Sequence, residues 1–455
     1  MKKRMYKIMA LAMTAAMVVP MAAQTTAFAA DDKEITYWNI AVESPDKDIV
    51  TAAVDKFNKE TKSGYTVNSV AIQNDTYKEK LVIAMSSGEC PDMYSSWSGG
   101  PMYEYIDSGF AQPIDDLLDQ SDVKDKLLDA AIEQGSYNGH VYAIPYLNVS
   151  LAGIFYNKDM FKQYGLEEPK TLADLENICA TLKENGITPF ALANASKWTG
   201  SMYFMSLAAR YGGLEPFQNA VAGTGKFTDD CFIKAGEKIQ EWVKNGYFPD
   251  GVNSLSEDDG QAKQLMYQET AGMLLCGSWY TGTFQTDSEE FYQKIGWFPF
   301  PAIDDSDADP TIQIGTVGDQ FISFNCEGDK LAAAFECATD HLSDEVEDMI
   351  YSTGKIAPVK DAGDHISDPV VKEIFDAAQE ASSIQLWYDQ YLPTSVASAH
   401  LDGLQEVFGL TKTPQEAQEE MQKAMDEYLS TKSDSGAADD TAEEATDDAA
   451  ADDAE

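Results

Sequence analysis

The spacing of apolar residues along this chain switches repeatedly between a period of two and a period near 3.6. Residues 35–39, Ile-Thr-Tyr-Trp-Asn, alternate and predict a strand. Over 48–59, Val50, Val54 and Phe57 share one stripe of a helix. Alternation returns at 65–72, a helical pattern follows at 77–87, and Gly88-Glu89-Cys90-Pro91 breaks it. A short strand at 92–94 then empties into Ser95-Ser96-Trp97-Ser98-Gly99-Gly100. A second block opens after 141–146, with a strand at 153–156 and a helix at 172–185 that Thr171 and Asp174 are placed to cap. Helices are expected at 202–211, 229–244 and 260–267, strands at 271–276 and 316–324, an alanine-rich helix at 331–341, and closing helices at 371–381 and 414–430. Strands alternating with helices predict an α/β fold, a parallel sheet covered on both faces. No internal repeat is visible.

The tryptophans, seven in all, give this frame a chemical direction. The run 271–276 is apolar and bounded by glycine, so it reads as a buried parallel strand, and Gly277-Ser278-Trp279-Tyr280 lies where it ends. In open α/β sheets, ligands bind beyond the carboxyl ends of the strands. An indole placed there offers a flat apolar face with an N–H at its edge. That suits a sugar ring, with C–H groups on its faces and hydroxyls around its rim. Trp38, Trp97, Trp198 and the triplet Trp387-Tyr388-Asp389 also fall at strand ends or in loops, beside Asn39, Ser98, Thr199 and Gln390, which can pair with hydroxyls. Any one of these tryptophans would be at home in a core; the set points to a cleft. Trp242, on a stripe with Ile239 and Val243, and Trp297, beside Phe298 and Phe300, read as packing residues.

Composition narrows the function. A formal charge of −45 excludes nucleic-acid binding, which needs lysine and arginine against phosphates, and argues against docking on anionic lipid. Residues 1–29 have the form of an export signal: a basic start, an apolar stretch at 8–23 and Ala27-Phe28-Ala29 as cleavage site. No cysteine precedes Cys90, so the lipid-anchoring cysteine of many exported binding proteins is missing, and the protein is expected outside the cytoplasm, secreted or held at the surface by other means. The length implies two lobes. Residues 433–455 hold ten acidic and no basic residues and are expected to form a disordered tail. Among the six cysteines, Cys179, Cys276 and Cys337 read as small buried hydrophobes, and no Cys-x-x-Cys supports a zinc or thiol-redox site. Four histidines without paired spacing, no Gly-x-Ser-x-Gly and no phosphate loop leave catalysis without a positive signal. A carbohydrate-active enzyme using two of the many carboxylates stays open as the rival class. Asp305, Asp307 and Asp309 are spaced like the start of a calcium loop, but Pro310 and Thr316 replace the required Gly and Glu, so an exposed acidic loop is expected.

Eight short motifs then resemble, in order and spacing, the family 1 extracellular solute-binding proteins, the sugar-capturing components of bacterial ABC importers. They include Ser87-Gly-Glu-Cys-Pro-Asp-Met-Tyr94, Tyr137-Asn-Gly-His-Val-Tyr-Ala-Ile-Pro-Tyr146, Phe155-Tyr-Asn-Lys-Asp-Met-Phe161 and Gly272-Met-Leu-Leu-Cys-Gly-Ser-Trp279, and the resemblance covers about 33–430. It implies a two-lobed binding-protein fold with the ligand between lobes: 31–144 plus 318–355 as one, 149–314 plus 358–430 as the other. It implies ligand contacts at Trp279, Trp198, Trp97, Ser98, Trp387, Tyr388 and Asp389, with Tyr146, Trp38 and Asp319 on the hinge side. The expected partners are a sugar, most simply an oligosaccharide, and the membrane-spanning subunits of an ABC permease, with no cofactor, no metal, no turnover and no second copy of the chain. A peptide or polyol in place of the sugar stays open.

Overall fold

The computed structural model describes residues 33–447, with side chains through Lys432; the expected export signal at 1–29 and the last eight residues lie outside the described residues. The apolar alternation builds two sheets. The first has the order β2-β1-β3-β12-β6, from β1 (Glu34–Asn39), β2 (Thr66–Ala71), β3 (Met93–Ser96), β6 (Ala143–Tyr146) and β12 (Gln320–Phe324). Between β3 and β6, β4 (Ser136–Tyr137) and β5 (His140–Val141) form a small separate hairpin. The second sheet has the order β13-β11-β7-β9-β8, from β7 (Val149–Asn157), β8 (Thr188–Phe190), β9 (Ala271–Gly277), β11 (Gln313–Val317) and β13 (Ile384–Gln385), with β10 (Ile295–Pro299) also paired to β7. In β1 the alternation works as read: Ile35 and Tyr37 are fully buried under the Asp46–Glu60 helix, which contributes Ile49, Val50, Val54 and Phe57. Thr171 and Asp174 form the expected reciprocal cap, Thr171 Oγ1 accepting from the Asp174 N–H at 3.2 Å and Asp174 Oδ2 from the Thr171 N–H at 3.0 Å. Trp242 is fully buried and stacks on Phe190 at 5.6 Å between ring centroids, and Trp297 is likewise core.

Three expectations are corrected. The sheets are mixed, not parallel: β12 runs antiparallel to both β3 and β6, and β9 pairs parallel to β8 but antiparallel to β7. An apolar run records burial on both faces and carries no information about strand direction. The single strand expected at 316–324 is two strands in different sheets, because Gly318 adopts φ +149° and redirects the chain between lobes. The closing helix does not stop at residue 430: Pro414–Asp447 is one helix. Alanine, glutamate and aspartate side chains do not break a helix already nucleated upstream.

The chain also passes between sheets at Leu147-Asn148, where Leu147 takes φ +71°. Asn148 fastens this crossing to another: its Oδ1 accepts from the Ile356 N–H at 2.8 Å, and the Val149 N–H donates to the Ile356 carbonyl at 2.7 Å. All six cysteines are unpaired.

Candidate functional site

Between the two sheets lies a cavity of about 260 Å³. Its floor begins where β9 ends. Ser278 is buried, accepts from the Leu151 N–H at 3.3 Å and donates to the Val149 carbonyl at 3.3 Å, so it pins the turn onto β7. Gly277 leaves room for the indole that follows: a Cβ there would lie 2.0 Å from Cζ3 of Trp279. The glycine, serine and tryptophan of the motif thus seat, fasten and present one ring. Gly277→Ala is expected to tilt Trp279 out of place and to lose ligand affinity, with about 1–3 kcal/mol of overpacking cost; titration calorimetry and near-ultraviolet circular dichroism read both, and an unchanged affinity would refute the seat.

Trp279 is the middle of a three-ring chain. Its centroid lies 6.0 Å from Trp198 and 5.9 Å from Trp387, the rings inclined at 60° and 68°. Trp198 opens the Trp198–Gly212 helix, and its buried indole N–H has no hydrogen-bond partner in the protein. Across the cavity, on the first lobe, Trp97 packs edge-on to Tyr77 at 5.9 Å with Lys78 Nζ 5.0 Å above its ring. Asp389 and Asp319 also line the cavity. Six of the ten expected contacts are therefore brought together: Trp279, Trp198, Trp97, Trp387, Asp389 and Asp319.

The other four are not on the cavity wall. Tyr388 sits on the same short turn as Asp389 but points the opposite way, stacked on Phe217 at 4.1 Å. Tyr146 is buried behind the wall, its hydroxyl held by Tyr37 at 3.1 Å and Ser95 at 3.0 Å. Ser98 is buried beside Trp97. Trp38 packs into the first-lobe cluster of Tyr77, Leu81, Met85 and Tyr94.

The structure adds residues that sequence reading missed. Glu257 and Asp258, on the loop before the Gln261–Tyr267 helix, face the cavity with Lys78, Lys263 and Tyr280. No local signal separates this acidic loop from the exposed one at 304–309; only the fold does. The Tyr280 hydroxyl donates to the Glu257 carboxylate. Burial raises the Glu257 carboxyl to about 7, against the opposing pull of Tyr280 and Lys263. Burial likewise raises Asp319 to about 7, opposed by Lys355. Both groups hold protons in the folded state that the unfolded chain has released above about pH 4. Their contribution to stability is present at low pH and is lost as pH rises through 7. Melting temperature is expected to fall between pH 5 and 8, and to fall less in Glu257→Gln; equal slopes in the two proteins would refute the assignment.

The lobes touch across the cavity mouth. Asp258 Oδ2 accepts from the Asp75 N–H at 3.2 Å, Lys78 meets Asp389 at 3.5 Å, and Lys263 meets Glu43 at 3.5 Å. Farther along, Glu104 accepts from the Thr394 N–H at 3.0 Å and hydroxyl at 2.6 Å.

Two α/β lobes meeting over an aromatic cleft define a two-lobed binding protein. The chain belongs to the bacterial extracellular solute-binding protein family, whose profile matches residues 41–338. It is 29% identical over 288 residues to an uncharacterized ABC transporter extracellular-binding protein of Pyrococcus horikoshii, covering 62% of this chain and 64% of that one. A multiple sugar-binding protein of Streptococcus mutans is 30% identical over 178 residues, 36% of this chain and 39% of that one. The chain thus spans less than two thirds of the length of these curated relatives. A solved structure from work on xylan utilization by the thermophilic bacterium Caldanaerobius polysaccharolyticus superposes with a TM-score of 0.78 at 29% identity, covering 86% of this chain and 99% of that one.

Proposed function

We propose that this protein captures a sugar, in the first instance an oligosaccharide, in the cleft between its lobes, without turnover, and delivers it to the membrane-spanning subunits of an ABC permease outside the cytoplasm. The carrying observation is the chain of Trp198, Trp279 and Trp387 along one wall, faced by Trp97 and interleaved with carboxyl groups. Apolar ring faces would take the C–H faces of a sugar, and carboxyl and amide oxygens would accept from its hydroxyls. The unpartnered indole N–H of Trp198 supports the reading, since a buried donor left unpaired costs about 1–3 kcal/mol that a ligand oxygen would recover. A ligand touching both lobes favours the form in which they meet by its differential affinity for it.

The test is the melting temperature of the protein against neutral oligosaccharides, polyols, amino acids and short peptides. A rise with one sugar class, and no cleavage of that sugar on prolonged incubation, supports capture. A rise with peptides alone keeps the fold and replaces the ligand class.

A further inference from the structure

We propose that this cleft selects by charge, admitting neutral and amine-bearing solutes and rejecting anionic ones. The inference takes the location of the cleft from the reading above but does not need its ligand to be a sugar.

The wall carries six carboxyl groups, Glu43, Asp46, Glu257, Asp258, Asp319 and Asp389, against two ammonium groups, Lys78 and Lys263. Neither ammonium is free for a ligand anion. Lys78 is shared between Asp389 and the face of Trp97, and Lys263 lies 3.0 Å from Asp287 and 3.5 Å from Glu43. Guanidinium is the side chain best shaped to bind carboxylate, sulfate or phosphate in two-point contact. Arg210 is the one arginine among the described residues, and it is buried elsewhere, donating to the carbonyls of Phe300 and Ile312.

Helix N-termini pull the other way. The Asp46–Glu60 and Asn74–Ser87 helices begin at the cleft, and their positive ends favour anions. Here the protein's own carboxylates occupy those ends. Asp258 accepts from the Asp75 N–H in the first turn of the Asn74–Ser87 helix, and Asp46 is itself the first residue of its helix. An incoming anion would meet these carboxylates and not the bare dipoles. An amine would find the opposite: Trp198 and Trp279 on the same wall as the carboxyl groups, a favourable setting for a cation.

The experiment uses matched series differing only in charge: cello-oligosaccharide, the amine-bearing chitosan oligosaccharide and the carboxylate-bearing oxidised cello-oligosaccharide, with tripeptides of net charge +1, 0 and −1 alongside. Binding to the full chain is followed by calorimetry at low salt. The expected result is that the anionic member of whichever series binds is weaker than its neutral partner by about tenfold or more, and that Glu43→Gln with Asp258→Asn narrows this gap. An anionic member binding as tightly as the neutral one overturns the proposal and leaves the sugar reading standing; binding by the peptides alone overturns the sugar reading, and their charge order then decides the proposal. Tryptophan quenching decides it even where neither series binds. Iodide is expected to quench the cleft tryptophans at least about twofold better in the double variant, with acrylamide quenching unchanged; iodide quenching equal in both proteins overturns the charge selection.

Discussion

Replacing Trp279 by alanine is expected to remove most of the ligand-induced rise in melting temperature while leaving the unliganded protein folded. A ligand at 100 times its dissociation constant adds about 2.7 kcal/mol to stability, a rise of roughly 5–10 °C for lobes of this size. Central aromatic anchors typically carry 2 kcal/mol or more of binding energy. Loss of 2–3 kcal/mol is about a 30- to 150-fold fall in affinity, which leaves about 0.3–0.9 kcal/mol of stabilisation at the same ligand concentration, a rise of roughly 1–3 °C. Trp279 is suited to this role because it is half-buried and touches both Trp198 and Trp387, so its removal also leaves their edges unsupported. The same substitution at Trp242, which stacks on Phe190 in the core, should lower the melting temperature with or without ligand. A Trp279→Ala protein that keeps its full shift would remove the stacking wall from the proposed mechanism.

Gly100→Ala is expected to separate closure from folding. Gly100 begins the Gly100–Asp107 helix of the first lobe, and a Cβ there would lie 2.3 Å from the carbonyl oxygen of Leu392 on the second. Ordinary contact needs more than an ångström beyond that, and the obstacle is backbone that cannot swing aside. Inside the first lobe, alanine in a helix favours the fold by up to about 1 kcal/mol over glycine. The unliganded melting temperature should therefore hold or rise slightly, while affinity for any ligand that needs both lobes falls by about tenfold or more. Small-angle scattering should show the liganded variant less compact than the liganded parent. Undiminished affinity would mean that ligand binding does not require this approach of the lobes. Gly99 is a poorer probe, since its φ of +111° strains any other residue whether or not the lobes meet.

Much of this could be read from the residues because it follows from local rules. The period of two in 35–39 and the Thr171–Asp174 cap are settled within a few residues of chain, and the structure contains both. Trp279 was legible for a related reason: a buried strand that ends in Gly-Ser-Trp has few places to put the indole except over its own end. The misses are of a different kind. Which side of a turn faces the cleft depends on what packs behind it, so Tyr388 and Asp389, adjacent in sequence, part company once Phe217 claims the tyrosine. The hydroxyl of Tyr146 is consumed by Tyr37, more than 100 residues away, a pairing no local pattern reveals. Glu257 acquires its raised proton affinity from burial, which is likewise a property of the assembled fold.

The position of β12 bears on how the chain reaches this state. It lies inside the first sheet, hydrogen-bonded to β3 on one side and β6 on the other, yet it is made some 225 residues after β3, the separation between Ser96 and Phe321. Until residue 324 is available, the first lobe lacks an interior strand, and β3 and β6 face each other across a gap with unpaired backbone. Contacts that must wait for distant partners slow folding. The first lobe therefore cannot complete its sheet from the amino-terminal half alone: the topology makes its closing step wait for a strand from the last third of the chain.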